Sequence, residues 1–190
     1  VCDETGQDIT SESEFFQSSD RAFYSITFHA QDIPPLGYRC FWLHSQTANS
    51  PQPDPSEATF ILENERLKVE IDPATGEISS FFDKQSNQET FRKPGNHLQA
   101  FKDEGQYWDA WNINPQYASF PLPEAKTMKI SPASCNPLRS KIWVEKTIGE
   151  SQLYQSYTLE QGSAALRIFT CIHWQERHTL IKAAFPLNLE

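Results

Sequence analysis

Apolar and polar residues alternate with a period of two in segments that recur about every ten residues, and polar turns separate these segments. The clearest segments are residues 67–71, 78–83, 98–101, 141–148, 152–159, 166–174 and 181–187. No stretch carries the apolar spacing of a long helix, and no internal repeat is present. Several short strands joined by polar turns are typical of an antiparallel sandwich, so the pattern predicts an all-β fold.

The first part of the chain reads as a separate, smaller unit. Residues 22–30 and 39–43 alternate like two strands, and a turn at residues 34–37 joins them into a predicted two-stranded pair. Three prolines then fall among Ser, Gln and Asn at residues 45–57, which neither a helix nor a central strand tolerates. We therefore predict three parts: the end of a small β module at 1–44, a Pro-rich linker at 45–57, and the N-terminal portion of a β-sandwich at 58–190.

Composition narrows the class of partner. Hydrophobic residues make up 38% of the chain and the net charge is −9, which favours a packed domain and argues against nucleic acid. No apolar run has the length of a membrane span, and no leader opens the chain, although Val1 shows that the true N-terminus is not in view. We expect neutral ligands, no nucleic acid and no membrane.

The cysteine pattern bears on the compartment. The four cysteines are widely spaced and form no CxxC pair. Cys40 and Cys171 fall in strand-like segments, where we expect buried free thiols. This pattern favours a reducing compartment and a cytoplasmic location, while two disulfides in an extracellular protein stay open as the alternative.

The densest chemical signal is an aromatic segment at residues 105–112. Its candidate substrate-binding residues are Tyr107, Trp108, Asp109, Trp111 and Asn112. Flat aromatic faces suit the C–H side of a sugar ring, and a carboxylate and an amide suit its hydroxyls. The alternative is a loop plug, in which the indoles pack on a sheet and Asp109 caps backbone amides.

Catalytic and metal-binding patterns are not evident. Asp103 and Glu104 lie near the aromatic segment, but adjacent residues of an extended chain face opposite ways and make a poor pair for glycoside hydrolysis. His173 and His178 are spaced for a strand end and a turn rather than for a zinc motif. We predict no catalytic residue and no metal ligand in this chain.

Four runs, in order, carry a family resemblance. They are residues 63–72 followed by 75–84, residues 95–104 leading into the Tyr-Trp-Asp-Ala-Trp run at 107–111, residues 173–178, and residues 180–187. Together they resemble the β-rich C-terminal part of glycoside hydrolase family 38, the α-mannosidases. Residues 1–43 look like the tail of the small β module that precedes this part.

The resemblance implies retaining hydrolysis of α-mannosides with a divalent metal, usually zinc. In the family the nucleophile and the metal ligands sit on an N-terminal α/β barrel, and nothing in this chain reads as a barrel. The resemblance therefore implies a non-catalytic piece of a galactose-mutarotase-like β-sandwich, or supersandwich, that braces the absent catalytic barrel and lines the sugar pocket. The implied partners are an α-mannoside and that barrel, and open sheet edges suggest a homo-oligomer. The alternatives are a stand-alone carbohydrate-binding module and a purely structural sandwich.

Overall fold

The computed structural model describes residues 1–17, 21–44, 59–105 and 111–188, and within these ranges the protein is all-β. The one helical turn there is a 3₁₀ turn at Tyr117–Ser119. No helix in the described ranges has the length and apolarity needed to cross a membrane. The strands are β1 (Cys2–Asp3), β2 (Ser11–Gln17), β3 (Ala22–Phe28), β4 (Phe41–Trp42), β5 (Ile61–Glu63), β6 (Leu67–Ile71), β7 (Ile78–Asp83), β8 (Gln88–Glu89), β9 (His97–Lys102), β10 (Lys126–Ile130), β11 (Ser134–Cys135), β12 (Arg139–Ile148), β13 (Ser151–Glu160), β14 (Leu166–His173) and β15 (Thr179–Ala184).

The chain divides into two compact units, and the first comprises residues 1–55 and 135–139. In it β2 pairs with β3, and β1 pairs with β4. The expected pairing of the segments at 22–30 and 39–43 is therefore wrong. The true partner of β3 is β2, which reads Ser-Glu-Ser-Glu before its two phenylalanines and carries too weak an alternation to be recognised. The predicted linker at 45–57 lies outside the described residues, and the domain boundaries stay a prediction.

The second unit, residues 56–134 and 140–190, holds three antiparallel sheets. Strands β5 to β8 form a four-stranded meander in sequence order. A five-stranded sheet runs in the order β10-β12-β13-β14, with β11 also paired to β12. Strands β9 and β15 form a two-stranded ladder.

The core of this unit forms where the meander faces the five-stranded sheet. Leu62, Val69 and Ile78 of the meander cluster with Ile142 and Tyr157 of the other sheet, and all are buried. These residues occupy alternate positions in their strands, because a strand with one buried face places every second side chain inside. The predicted fold class, an all-β antiparallel sandwich, is confirmed.

The predicted turn after β6 is present and packs against β12. Asp72 accepts hydrogen bonds from the amides of Ala74 and Thr75, which fixes the turn. Gly76 closes it at a φ of +64°, and a β-carbon there would lie 2.5 Å from Val144 Cγ1. The turn therefore needs glycine both for its backbone conformation and for the close approach of β12.

Strand β14 forms one edge of the five-stranded sheet within the described residues. Cys171 lies on this strand and is exposed, as is Cys40, so the expectation that both thiols are buried is wrong. Cys171 takes a solvent-facing position of β14, which alternation alone does not reveal, and Cys40 precedes β4 rather than lying in it. All four cysteines are free thiols. Self-association through sheet edges stays a prediction.

Candidate functional site

The aromatic segment begins where β9 ends. Tyr107, Trp108 and Asp109 lie outside the described residues. Trp111 and Asn112 are both exposed, and the Trp111 side chain is 86% accessible. The exposed Trp111 indole does not pack into the core as the loop-plug alternative expects, and that alternative stays open for Trp108 and Asp109.

A cavity of about 310 Å³ opens beside this segment, and its lining residues are Lys102, Glu104, Gly105, Asn114 and Phe120. Backbone hydrogen bonds to β9 hold the residues that follow the aromatic segment. The amide of Lys102 donates to the carbonyl of Phe120 at 2.9 Å, and the amide of Leu122 donates to the carbonyl of Ala100 at 2.9 Å. The cavity thus sits at the end of a rigid strand, with its walls in the connecting loop.

The cavity combines charge, amide and aromatic chemistry. Lys102 and Glu104 form an ion pair at 2.8 Å. Asn114 caps the following turn through its carbonyl oxygen, which accepts from the amide of Gln116 at 2.9 Å. Phe120 contributes an aromatic ring that is about half exposed. An apolar face beside hydrogen-bonding groups is the chemistry that sugar rings require.

Asp103 directly follows β9, at the end of the strand where the cavity lies. Its amide donates to the carbonyl of His178 at 2.7 Å, which holds the backbone. One of its carboxylate oxygens, Oδ1, is buried and has no hydrogen-bond partner among the described residues. A buried acceptor without a partner is costly, so Oδ1 of Asp103 is a candidate acceptor for a ligand.

A second polar cluster lies inside the sandwich, and sequence reasoning did not find it. The Tyr157 hydroxyl donates to the Gly76 carbonyl at 2.8 Å and accepts from Asn96 Nδ2 at 2.6 Å. Asn96 Nδ2 also donates to Gln155 Oε1 at 3.2 Å. Burial raises the pKa of Tyr157 to about 12. The only sequence signal was the polar Gly-Asn pair at the start of β9, since the residues it joins lie far apart in the chain.

His97 and Glu77 border this cluster. The Nδ1 atom of His97 lies 2.7 Å from Glu77 Oε1, and its Nε2 atom lies 3.3 Å from Glu124 Oε1. The two carboxylates are therefore on opposite sides of the ring and do not converge on one point. No group of three or more His, Cys, Asp or Glu side chains in the described ranges is arranged to hold a metal ion. The residues present there do not fit a zinc site.

Lys146 projects from β12 into the core beside Glu77 and is 2% exposed. Burial lowers the pKa of Lys146, and the nearby Glu77 carboxylate opposes that shift only partly. A lysine with a lowered pKa binds its proton more weakly in the folded than in the unfolded chain. Its charge therefore costs stability at neutral pH, and that cost diminishes as the pH rises through the folded value.

We expect Lys146→Met to stabilise the protein at pH 7, on the order of 1 kcal/mol, because methionine fills similar volume without a buried charge. Chemical denaturation at pH 7 and pH 10 measures the effect, and the difference from the wild type should shrink at the higher pH. Lys129→Met, at an exposed position of β10, is the matched control and should change stability little. A less stable Lys146→Met variant at pH 7 would show that the ammonium stabilises the core.

Comparisons with known proteins place the chain in a family. Residues 62–190, more than half of the chain, match the sequence model described as the glycosyl hydrolases family 38 C-terminal domain. Alpha-mannosidase 2C1 of Homo sapiens is 29% identical over 140 residues, which is 70% of this chain and 13% of the human protein. Alpha-mannosidase 2C1 of Mus musculus is 28% identical over 173 residues, which is 83% of this chain and 16% of the mouse protein. The chain therefore spans less than a fifth of the length of these relatives, and it belongs to glycoside hydrolase family 38 through that family's C-terminal domain.

Proposed function

We propose that the chain is the non-catalytic β-sandwich region of a longer α-mannosidase, which hydrolyses α-mannosides with retention of configuration. The observation that carries the proposal is the family match over residues 62–190, in agreement with two relatives named as alpha-mannosidases. In this proposal the catalytic residues and the zinc ion belong to the parent's catalytic barrel. The sandwich braces that barrel, and the protein works in the cytoplasm.

We also propose that the loop after β9 contributes to the sugar pocket of the longer enzyme. Support comes from the cavity that Lys102, Glu104, Asn114 and Phe120 line after the end of β9. The exposed Trp111 and the buried, unpartnered Oδ1 atom of Asp103 lie in the same segment, between β9 and the 3₁₀ turn. Aromatic faces would contact the sugar ring, and Asp109 and Asn112 would bind its hydroxyls.

In the longer enzyme we expect Asp109→Asn to lower kcat/KM roughly ten- to hundredfold and to leave folding nearly intact. A charge-assisted hydrogen bond contributes about 1.5 to 3 kcal/mol, and the rate falls by the corresponding factor if the contact tightens in the transition state. Trp108→Ala separates the two roles of this loop. It should lower activity if the indole contacts sugar, whereas a core plug would cost about 3 to 5 kcal/mol of stability instead.

Asp72→Asn is the matched control, because it makes the same chemical change in the turn between β6 and β7. Asp72 caps backbone amides there, and an asparagine oxygen accepts the same hydrogen bonds. Kinetics with an aryl α-mannoside should show activity near that of the wild type for this variant. Unchanged kinetics for Asp109→Asn would assign the aromatic loop to architecture alone.

A further inference from the structure

The five-stranded sheet has a second face, opposite the core. We call it the outer face, and its central residues are Trp143 on β12, Ser156 and Thr158 on β13, and Phe169 on β14. Trp143 is 46% exposed and Phe169 is 59% exposed, so about half of each residue is open to solvent. Two large aromatic rings on an open sheet face form an apolar surface that suits a ligand.

The side chains of this face form two rows across the sheet. Ser156 pairs with Phe169, and Thr158 pairs with Arg167. Strands β12 and β13 are joined by the two-residue turn at 149–150, in which Gly149 has a φ of +54°. Counting back from such a hairpin turn puts Trp143 beside Ser156 and Lys141 beside Thr158. An aromatic row therefore lies next to a cationic row.

Two residues with hydroxyl groups, Ser156 and Thr158, lie between these rows. Ser156 is 4% exposed and Thr158 is 8% exposed. Neither side-chain hydroxyl makes a hydrogen bond to any other described residue. Hydroxyls on the floor of this face that bond to no described residue can donate to, and accept from, the hydroxyls of a ligand above them.

The outer face carries a net positive charge, whereas the whole chain is negative. The net charge of the protein is −9. Alternation and strand pairing put five cations of the sheet on this face against two carboxylates of the sheet; the cations are Lys126, Lys129, Arg139, Lys141 and Arg167, and the carboxylates are Glu145 and Glu160. Arg139 is paired with Glu12 at 2.7 Å. The Lys141 ammonium lies 4.4 Å from the centroid of the Trp143 ring, so a cation and an aromatic surface coincide. Arg167 lies 3.5 Å from Glu160 at the exposed edge.

The area of this face suits a short oligosaccharide better than a protein partner. Four strands about 4.8 Å apart, each about eight residues long, give a face of roughly 20 by 25 Å, or about 500 Å². A stable protein interface takes about 800 Å² from each partner. Trp143 and Phe169 are two strand spacings apart, about 10 Å, which a di- or trisaccharide can span.

We propose that the outer face is a second, non-catalytic carbohydrate site, which binds an oligosaccharide that bears an acidic substituent such as phosphate, sulfate or carboxylate. Sugar rings lie on Trp143 and Phe169, their hydroxyls bond to Ser156 and Thr158, and the acidic group lies between Lys141 and Arg167. The choice of a mannose-containing glycan rests on the proposed function. The site itself rests on the geometry of the sheet.

Calorimetric titration of the 190-residue chain with mannobiose monophosphate and with mannobiose tests the proposal. The phosphorylated probe should bind about tenfold more tightly, and added salt should remove that difference. Lys141→Gln combined with Arg167→Gln should weaken only the phosphorylated probe, whereas Trp143→Ala should weaken both. Lys93→Gln, at an exposed position between β8 and β9 and outside this sheet, is the control and should change neither affinity.

The proposal is overturned if the phosphorylated probe does not bind at millimolar concentration, or if the double variant binds it as the wild type does. Binding of polyglutamate with the same dependence on Lys141 and Arg167, without binding of the phosphorylated sugar, would identify an acidic protein as the partner instead. Circular dichroism confirms that each variant is folded. Because the titration involves no catalysis, it stays informative even if the longer protein fails to hydrolyse α-mannosides.

Discussion

Tyr157→Phe should lower the free energy of unfolding by about 2 kcal/mol, although it removes a single oxygen atom. The lost hydroxyl leaves the Gly76 carbonyl without its buried donor and takes one acceptor from Asn96 Nδ2. An unsatisfied buried polar group costs about 1 to 3 kcal/mol. Tyr157→Ala should cost about 3 to 5 kcal/mol, since it also opens a cavity where a fully buried ring had packed.

Denaturation by guanidinium chloride measures both variants, and Tyr154→Phe is the matched control. Within the described ranges the Tyr154 hydroxyl bonds to Gln152 at an exposed position, so its removal should change stability little. Equal stability of Tyr157→Phe and wild type would show that the hydrogen bonds of this network contribute nothing net.

The same tyrosine makes the fold sensitive to alkali. Its pKa is raised to about 12 by burial, above an ordinary value of 10.0. Its contribution is therefore complete below pH 10 and is lost as the pH rises through 12, because the unfolded chain ionises first. Two pKa units correspond to roughly 2 to 3 kcal/mol. The decline of stability between these pH values should be less steep in Tyr157→Phe than in the wild type.

The main strands could be predicted from the sequence because each buries one face. Strands β6, β9, β12 and β13 alternate clearly, and they supply most of the buried core. Strands β5, β8 and β11 have two or three residues each and are too short to show a period. The pairing of β2 with β3 was missed because the polar start of β2 hides its alternation.

The candidate site was predicted only in part, for a different reason. Trp111 and Asn112 were recognisable because aromatic and amide residues cluster in the sequence. Phe120 was not recognisable as a site residue. It is brought to the cavity by the hydrogen bond between its carbonyl and the Lys102 amide. The hydrogen bonds of Tyr157 likewise reach Asn96 and Gly76, which lie 61 and 81 positions away in the sequence. Contacts between distant parts of the chain leave no local pattern in the sequence.

The central claim is that this chain is the non-catalytic region of an α-mannosidase. Hydrolysis of an aryl α-mannoside, measured with added zinc for both the full-length protein and the 190-residue chain, tests that claim most directly. We expect turnover by the full-length protein and at least about a thousandfold less by the chain, because the sequence predicts no carboxylate pair for glycoside hydrolysis in it. Turnover by the chain that disappears in Asp103→Asn or Glu104→Gln, or no hydrolysis by the full-length protein, would contradict it.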